Sequence, residues 1–193
     1  MYNRIMHMEN RSDAQLITDY FEGKREALEV LISRYLKPVY GFIFNFVKDA
    51  GVAEDLTQEV FIKAWRRLKK FDRKKSFKPW IFKIARNAAI DFLRKKKAIP
   101  FSKFDNEDGE NIILETIEDS VPLPGEIFDR ENLARELEEA IEKLPHKQRA
   151  ALYLHYQNYL TFEEIAEASG ESVNTVKSRH RRAILELRKL LFL

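Results

Sequence analysis

The sequence contains no cysteine. A disulfide framework and a thiolate metal site are therefore excluded, and a reducing cytoplasm is the expected setting. Glycine is scarce, six residues in 193, and nowhere do glycines gather into a phosphate-cradling loop. There is no nucleophile-elbow pattern, and no carboxylate or histidine cluster has catalytic spacing. The four histidines, His7, His146, His155 and His180, are too scattered for a metal site. No catalysis, metal, cofactor or small-molecule substrate is expected. Long apolar runs are missing as well: no stretch approaches the ~18 residues of a membrane span, and MYNRIMHMEN lacks a signal-peptide core. Period-two alternation is not convincing anywhere, so an all-α fold is expected.

What the chain has in quantity is charge, and that charge is segregated. Between Arg66 and Lys97, fourteen Lys/Arg face two acids, Asp72 and Asp91, a net of +12. Between Ala98 and Ile127, one lysine (Lys103) faces eight acids, a net of −7. Such asymmetry points to a polyanionic partner for the basic part; solvated helix faces with compensating neighbours are the plainer alternative.

Helical periodicity organises the rest. Ser12 and Asp13 cap a short helix that runs through Phe21 and is interrupted at Gly23. A longer apolar helix, EALEVLISRYLKPVYGFIFNFV, follows, with Pro38 marking a kink or adjustment. Gly51 precedes a third helix, AEDLTQEVFIKAWRRLKK. The basic loop FDRKK leads to Ser76, a suitable N-cap for a helix from Phe77 to about Lys97, with Pro79 tolerated in its first turn. Residues 99–127 hold Pro100, Pro122, Pro124, Gly109, Gly125 and most of the acids, and read as a flexible acidic linker. Helices resume at LARELEEAIEKL, then PHKQRAALYLHYQNY, TFEEIAEA and VNTVKSRHRRAILELRKLL. The expected architecture is two small helical domains, 1–98 and 128–193, joined by that linker.

The last two helices meet through Ala168-Ser169-Gly170-Glu171. A helix-turn-helix needs a small residue at the crossing and a turn residue about four later; Ala166 and Gly170 supply them, with Ser172 as N-cap of the second helix. At ~100° per residue, Val173, Val176, Ala183, Leu187 and Leu190 line one side of that helix. Asn174, Thr175, Ser178, Arg181 and Arg182 project roughly opposite, flanked by Lys177 and Arg179. Short polar groups ringed by cations suit base edges and phosphates.

In the helix from Phe77, Lys83, Arg86, Asn87, Arg94 and Lys97 share one side, while Phe77, Ile81, Ile84, Ala88 and Phe92 share the side expected to be buried. Phe71, Phe77, Trp80 and Phe82 lie among Arg73, Lys74, Lys75 and Lys78. Rings interleaved with cations suit single-stranded nucleic acid, although any one ring is as readily core. One helix earlier, Asp55, Gln58, Glu59, Ile62 and Arg66 cluster opposite Leu56, Val60 and Ala64. An exposed isoleucine beside acids suggests a protein partner; a solvated face with one stray apolar residue is the alternative.

AEDLTQEVFIKAWRRLKKFD with SFKPWIFKIARNAAIDFLRKKK resembles the second conserved domain of bacterial sigma factors. LPHKQRAALYLHYQNYLTFEEIAEASGESVNTVKSRHRRA resembles their fourth. With only a short linker between them, the pattern is similar to the extracytoplasmic-function (ECF) group. The resemblance implies that Asp55, Gln58, Glu59 and Ile62 bind the clamp helices of the largest subunit of core RNA polymerase, with the flap of the second subunit as a further contact. It implies that the loop from Phe71 to Phe77, with Arg73, Lys74, Lys83, Arg86 and Asn87, holds the melted non-template strand of the minus-ten element. Asn174, Thr175, Lys177, Ser178, Arg179, Arg181 and Arg182 would read the double-stranded minus-thirty-five element. A stress or envelope response, and a membrane-linked anti-sigma factor that restrains an otherwise cytoplasmic protein, are implied in the same way. The chain departs from the pattern at His180 and Ser169, where aliphatic residues are usual, and looser packing under the recognition helix is the expected consequence. A stand-alone transcriptional regulator with one DNA-binding and one interaction domain is the competing reading.

Overall fold

The computed structural model describes residues 8–97 and 130–192. The acidic linker expected at 99–127 lies outside the described residues, as do His7 and the side chain of Lys97. Most of the α-helices among the described residues follow the 3.6-residue apolar repeat of the sequence. Helix α1 spans Asp13–Phe21. Ser12 caps it through a reciprocal pair: the Gln15 N–H donates to Ser12 Oγ, and the Ser12 N–H donates to Gln15 Oε1 at 2.9 Å. Helix α2 spans Arg25–Val47 and runs unbroken through Pro38. Helix α3 spans Ala50–Arg67. The sequence places Gly51 ahead of this helix, but it lies in the first turn, because Asp49 Oδ1 accepts the Val52 N–H at 3.0 Å and so starts the helix at Ala50, three residues before the expected Ala53. A 3₁₀ turn, Leu68–Lys70, follows, and then α4, Phe77–Lys97.

The second domain contains α5 (Arg130–Lys143), α6 (His146–Leu152), α7 (Phe162–Ser169) and α8 (Val173–Phe192). The single helix expected from Pro145 to Tyr159 is instead α6 followed by a π turn over Tyr153–Gln157. Asn158 accounts for the difference. Both its backbone N–H (3.2 Å) and its side-chain amide (3.0 Å) donate to the Tyr153 carbonyl five residues back, which widens the turn. Tyr159 then takes up a left-handed conformation (φ 53°).

In the first domain, Leu16, Ile17, Val39, Phe42, Ile43, Val60, Ile81 and Phe82 are fully buried where α1, α3 and α4 pack around α2. In the second, Ala140, Leu144, Leu152, Ala183 and Leu187 form a core between α5, α6 and α8. The two domains touch. Helix α4 lies on α7, and the Phe46 ring meets Tyr153 at 6.0 Å between centroids. The Arg149 guanidinium sits over the same Phe46 ring, 5.2 Å from its centroid. Asn45 donates to Gln157 at 2.7 Å, and Lys48 pairs with both Glu138 and Glu142.

Candidate nucleic-acid interface

The turn between α7 and α8 is built by three residues. Gly170 adopts φ 73°, and its N–H donates to the Ala166 carbonyl at 2.8 Å, closing α7. Ala166 is buried at the crossing, where a larger side chain would hold the helices apart. Ser172 Oγ accepts the Thr175 N–H at 3.1 Å and starts α8. Val176, Ala183 and Leu187 anchor α8 in the core, as their spacing requires, while Leu190, expected on that side, is exposed. The opposite face presents Asn174 and Lys177 exposed, with Thr175, Ser178, Arg181 and Arg182 partly exposed.

Arg179 is not on that face. It is only 4% exposed, and two of its guanidinium nitrogens donate to the Glu171 carboxylate, one of them at 3.0 Å. Its position one turn beyond Val176 places the stem on the core side, and Glu171, just ahead of α8, supplies the counter-charge that makes the burial tolerable. Burial pushes the Glu171 carboxyl up, but Arg179, with help from Arg86 and Lys147, more than offsets it and holds the group below the ordinary carboxylate range. Arg179 therefore lies beneath the polar face of α8, whereas sequence spacing places it on the flank.

His180 is half-buried in a cluster of rings. It meets His155 at 5.4 Å, Tyr156 at 5.6 Å and Phe162 at 5.2 Å between centroids, and its Nε2 lies 3.1 Å from the Tyr156 hydroxyl. Burial, and then the neighbouring His155, lower its pKa, which favours the neutral ring. Ser169 donates to the Ile165 carbonyl at 2.7 Å, so its half-buried hydroxyl is satisfied within α7.

On α4, Lys83 and Asn87 are exposed and Arg86 is half-buried. Burial lowers the pKa of Arg86, with Glu171 of the second domain acting to raise it and Arg179 to lower it further. Arg73 and Lys74 are exposed, with the Arg73 guanidinium 4.7 Å from the Phe21 ring centroid. Phe71 and Phe77 are core residues. They meet edge-on at 5.7 Å and both pack on Trp80, and Phe77 also contacts Tyr35. The loop thus supplies buried rings that shape its base and cations that line its rim.

On α3, Asp55, Gln58, Glu59 and Ile62 all face solvent, and Glu59 pairs with Lys63 at 2.5 Å. An apolar cavity of about 290 Å³ opens beside them, lined among others by Leu28, Ile32, Phe61, Ile62 and Trp65. Sequence reasoning found Ile62 but missed Trp65, 39% exposed, and the α2 residues Leu28 and Ile32. The signal for them was the apolar excess of α2, whose 3.6-residue stripe is too wide for one buried face. Among the described residues no helix is long and apolar enough to cross a membrane, and no cluster of side chains could hold a metal ion.

Two family models match the chain: sigma-70 region 2 over residues 31–99 and sigma-70 region 4 over residues 134–187. The RNA polymerase sigma-H factor of Pseudomonas aeruginosa is 33% identical over 172 residues, covering 89% of each chain. The ECF RNA polymerase sigma factor SigW of Bacillus subtilis is 32% identical over 88% of this chain and 91% of its own. The chain belongs to the ECF sigma factors. Among solved structures, the Bartonella quintana sigma factor RpoE, determined with the anti-sigma factor NepR, aligns at TM-score 0.61 with 26% identity, over 85% of this chain and 96% of that one. CnrH, solved with the cytosolic domain of CnrY, shares the fold at TM-score 0.68 over 94% and 97% of the two chains. As an ECF sigma factor, the chain is a transcription-initiation subunit that directs RNA polymerase to promoters. The first matched segment begins within α2 and takes in α3 and α4; the second begins within α5, takes in α6 and α7, and ends within α8.

Proposed function

We propose that this sigma factor docks on core RNA polymerase through the acidic and apolar face of α3, reads the minus-thirty-five element with α8, and holds the melted minus-ten strand against α4 and its preceding loop. The observation that supports this most is the separation of three surfaces of different chemistry on one chain. Helix α8 carries short polar groups and cations, α4 a lysine–asparagine edge, and α3 carboxylates around an exposed isoleucine and an apolar cavity. The domain divisions at 1–98, 99–127 and 128–193, the flap of the second polymerase subunit as a contact of the second domain, and a cytoplasmic location belong to the same proposal. So does non-catalytic action. Control by an anti-sigma factor is supported by the partner named for the Bartonella relative.

Changing Asp55 and Glu59 to Arg should abolish copurification with core polymerase and run-off transcription, while the full chain keeps its affinity for duplex promoter DNA. Retained polymerase binding would remove α3 from the interface. Arg182→Ala should weaken binding to the cognate upstream element by about 1–3 kcal/mol while leaving unrelated duplexes nearly unaffected. Equal losses on every sequence, measured by titration at fixed salt, would make Arg182 a phosphate contact instead.

A further inference from the structure

A cluster of titratable rings lies outside the three proposed contact surfaces, where α8 meets the π turn and the start of α7. His180 follows Val176 by four residues and precedes Ala183 by three, and both of those are fully buried. Its ring is therefore on the core side of α8, with the helix itself between it and Asn174 or Ser178. Tyr156 and His155 reach it from the π turn and Phe162 from α7, and His155 in turn lies flat on Phe162 at 4.8 Å between centroids. His155 Nδ1 is 2.8 Å from the Leu160 carbonyl, which can only accept, so that nitrogen carries a proton.

Nothing in the cluster answers a positive charge. Among the described residues no carboxylate pairs with either imidazole. Glu164 of α7 accepts the Thr161 N–H, Glu167 faces Lys75, and Glu163 is exposed. On α8 the adjacent Arg179 takes Glu171. A neutral His180 shares one hydrogen bond with the Tyr156 hydroxyl, 3.1 Å from Nε2. A protonated one must donate from both nitrogens, yet among the described residues only Nε2 has an acceptor. The added charge would also face a second imidazole, 5.4 Å away between centroids.

We infer that His180 is a proton-sensitive positioning residue: the neutral ring holds α8 on Tyr156, His155 and Phe162 in the arrangement that reads duplex DNA, and protonation of that ring releases it. This rests on the reading of α8 as a promoter-facing helix. The sign follows from the surroundings. Burial, and then His155, make the ring titrate lower in the folded chain than in the unfolded one. Its contribution to the packing of α8 is therefore present above the unfolded value and is lost as pH falls through the folded value. A phosphate contact would act the other way, since a protonated ring beside DNA tightens binding. That effect is the weaker one here, because about 10 Å of helix separates the ring from the reading face, a full Debye length at about 0.1 M salt.

The test uses the full chain and a duplex that it enriches from a randomised pool at neutral pH. Dissociation constants are measured at about pH 7.5 and about pH 5.5, on either side of histidine titration, and their ratio is taken within each protein. Binding by the parent should weaken on acidification, by at most about tenfold per pH unit, the limit for one linked proton. His180→Leu and His180→Gln, which cannot take up that proton, should lose most of the dependence. His155→Phe keeps a ring on Phe162 without the second imidazole, and should move the loss to higher pH. Nuclear magnetic resonance of the imidazole nitrogens follows the ring itself in the free chain, with the His180 signals assigned by their absence from the variants. A His180 that titrates at or above the ordinary histidine value, tighter binding by the parent at low pH, or the same ratio in parent and both His180 variants would each overturn the inference. A pool that yields no preferred duplex at any pH would instead remove the reading of α8, and this inference with it.

Discussion

Glu171→Ala should destabilise the second domain by about 3–5 kcal/mol, the cost of stranding a buried cation. Arg179 is almost wholly enclosed, and its fork is met by one carboxylate. Removing that carboxylate takes away the acceptor that two of its guanidinium nitrogens share, at a site almost closed to water. The double change Glu171→Ala with Arg179→Met should recover most of the loss, because an apolar side chain of similar length needs no partner there. Both tryptophans, Trp65 and Trp80, lie in the first domain, so urea unfolding of the second is followed by circular dichroism. The pH dependence has a definite sign. The Glu171 carboxyl titrates lower in the folded chain than in the unfolded one, so its contribution is present above the unfolded value and is lost as pH falls through the folded value. A Glu171→Ala protein as stable as the parent would return Arg179 to the flank of the reading face.

Phe82→Ala should cost about 3–5 kcal/mol in the first domain, with tryptophan fluorescence of Trp80 as the natural reporter. Phe82 has no exposed surface and meets Phe42, equally enclosed, edge-to-face at 5.7 Å. Truncation leaves a ring-sized void between α2 and α4 that close packing cannot collapse around. The contrast with an exposed stacking residue is sharp: loss of a stacking ring lowers affinity for single-stranded DNA with stability nearly unchanged. If Phe82→Ala melts like the parent yet binds single strands more weakly, the ring is a base platform and not core.

Much of this was visible in the residues. Ala166, Gly170 and Ser172 announce the turn, because each has one local job that only a few residue types perform. The bounds of α4 and the solvent side of α3 follow from the 3.6-residue repeat. Arg179 was misplaced because angular spacing follows Cα–Cβ directions, whereas a long side chain goes where its charge is answered. Phe71 and Phe77 were read for the cations around them, but a ring flanked by lysines in sequence can still face inward. The π turn was invisible to periodicity, since it hinges on one asparagine whose amide prefers a carbonyl five residues back. The contact between domains depends on pairs such as Asn45 with Gln157, more than a hundred positions apart, which no local pattern encodes.

That π turn gives the molecule a shared fulcrum. Within five residues it aims Tyr153 at Phe46 of the first domain and Tyr156 and His155 at His180 on α8. A regular helix would advance about 100° at each step; the wider turn brings two neighbouring bodies onto one short piece of backbone. Any event that repacks the turn is therefore felt on both sides. A ligand that selects one arrangement of α8 must bias the domain contact by the same coupling free energy, and the domain contact must bias α8 in return.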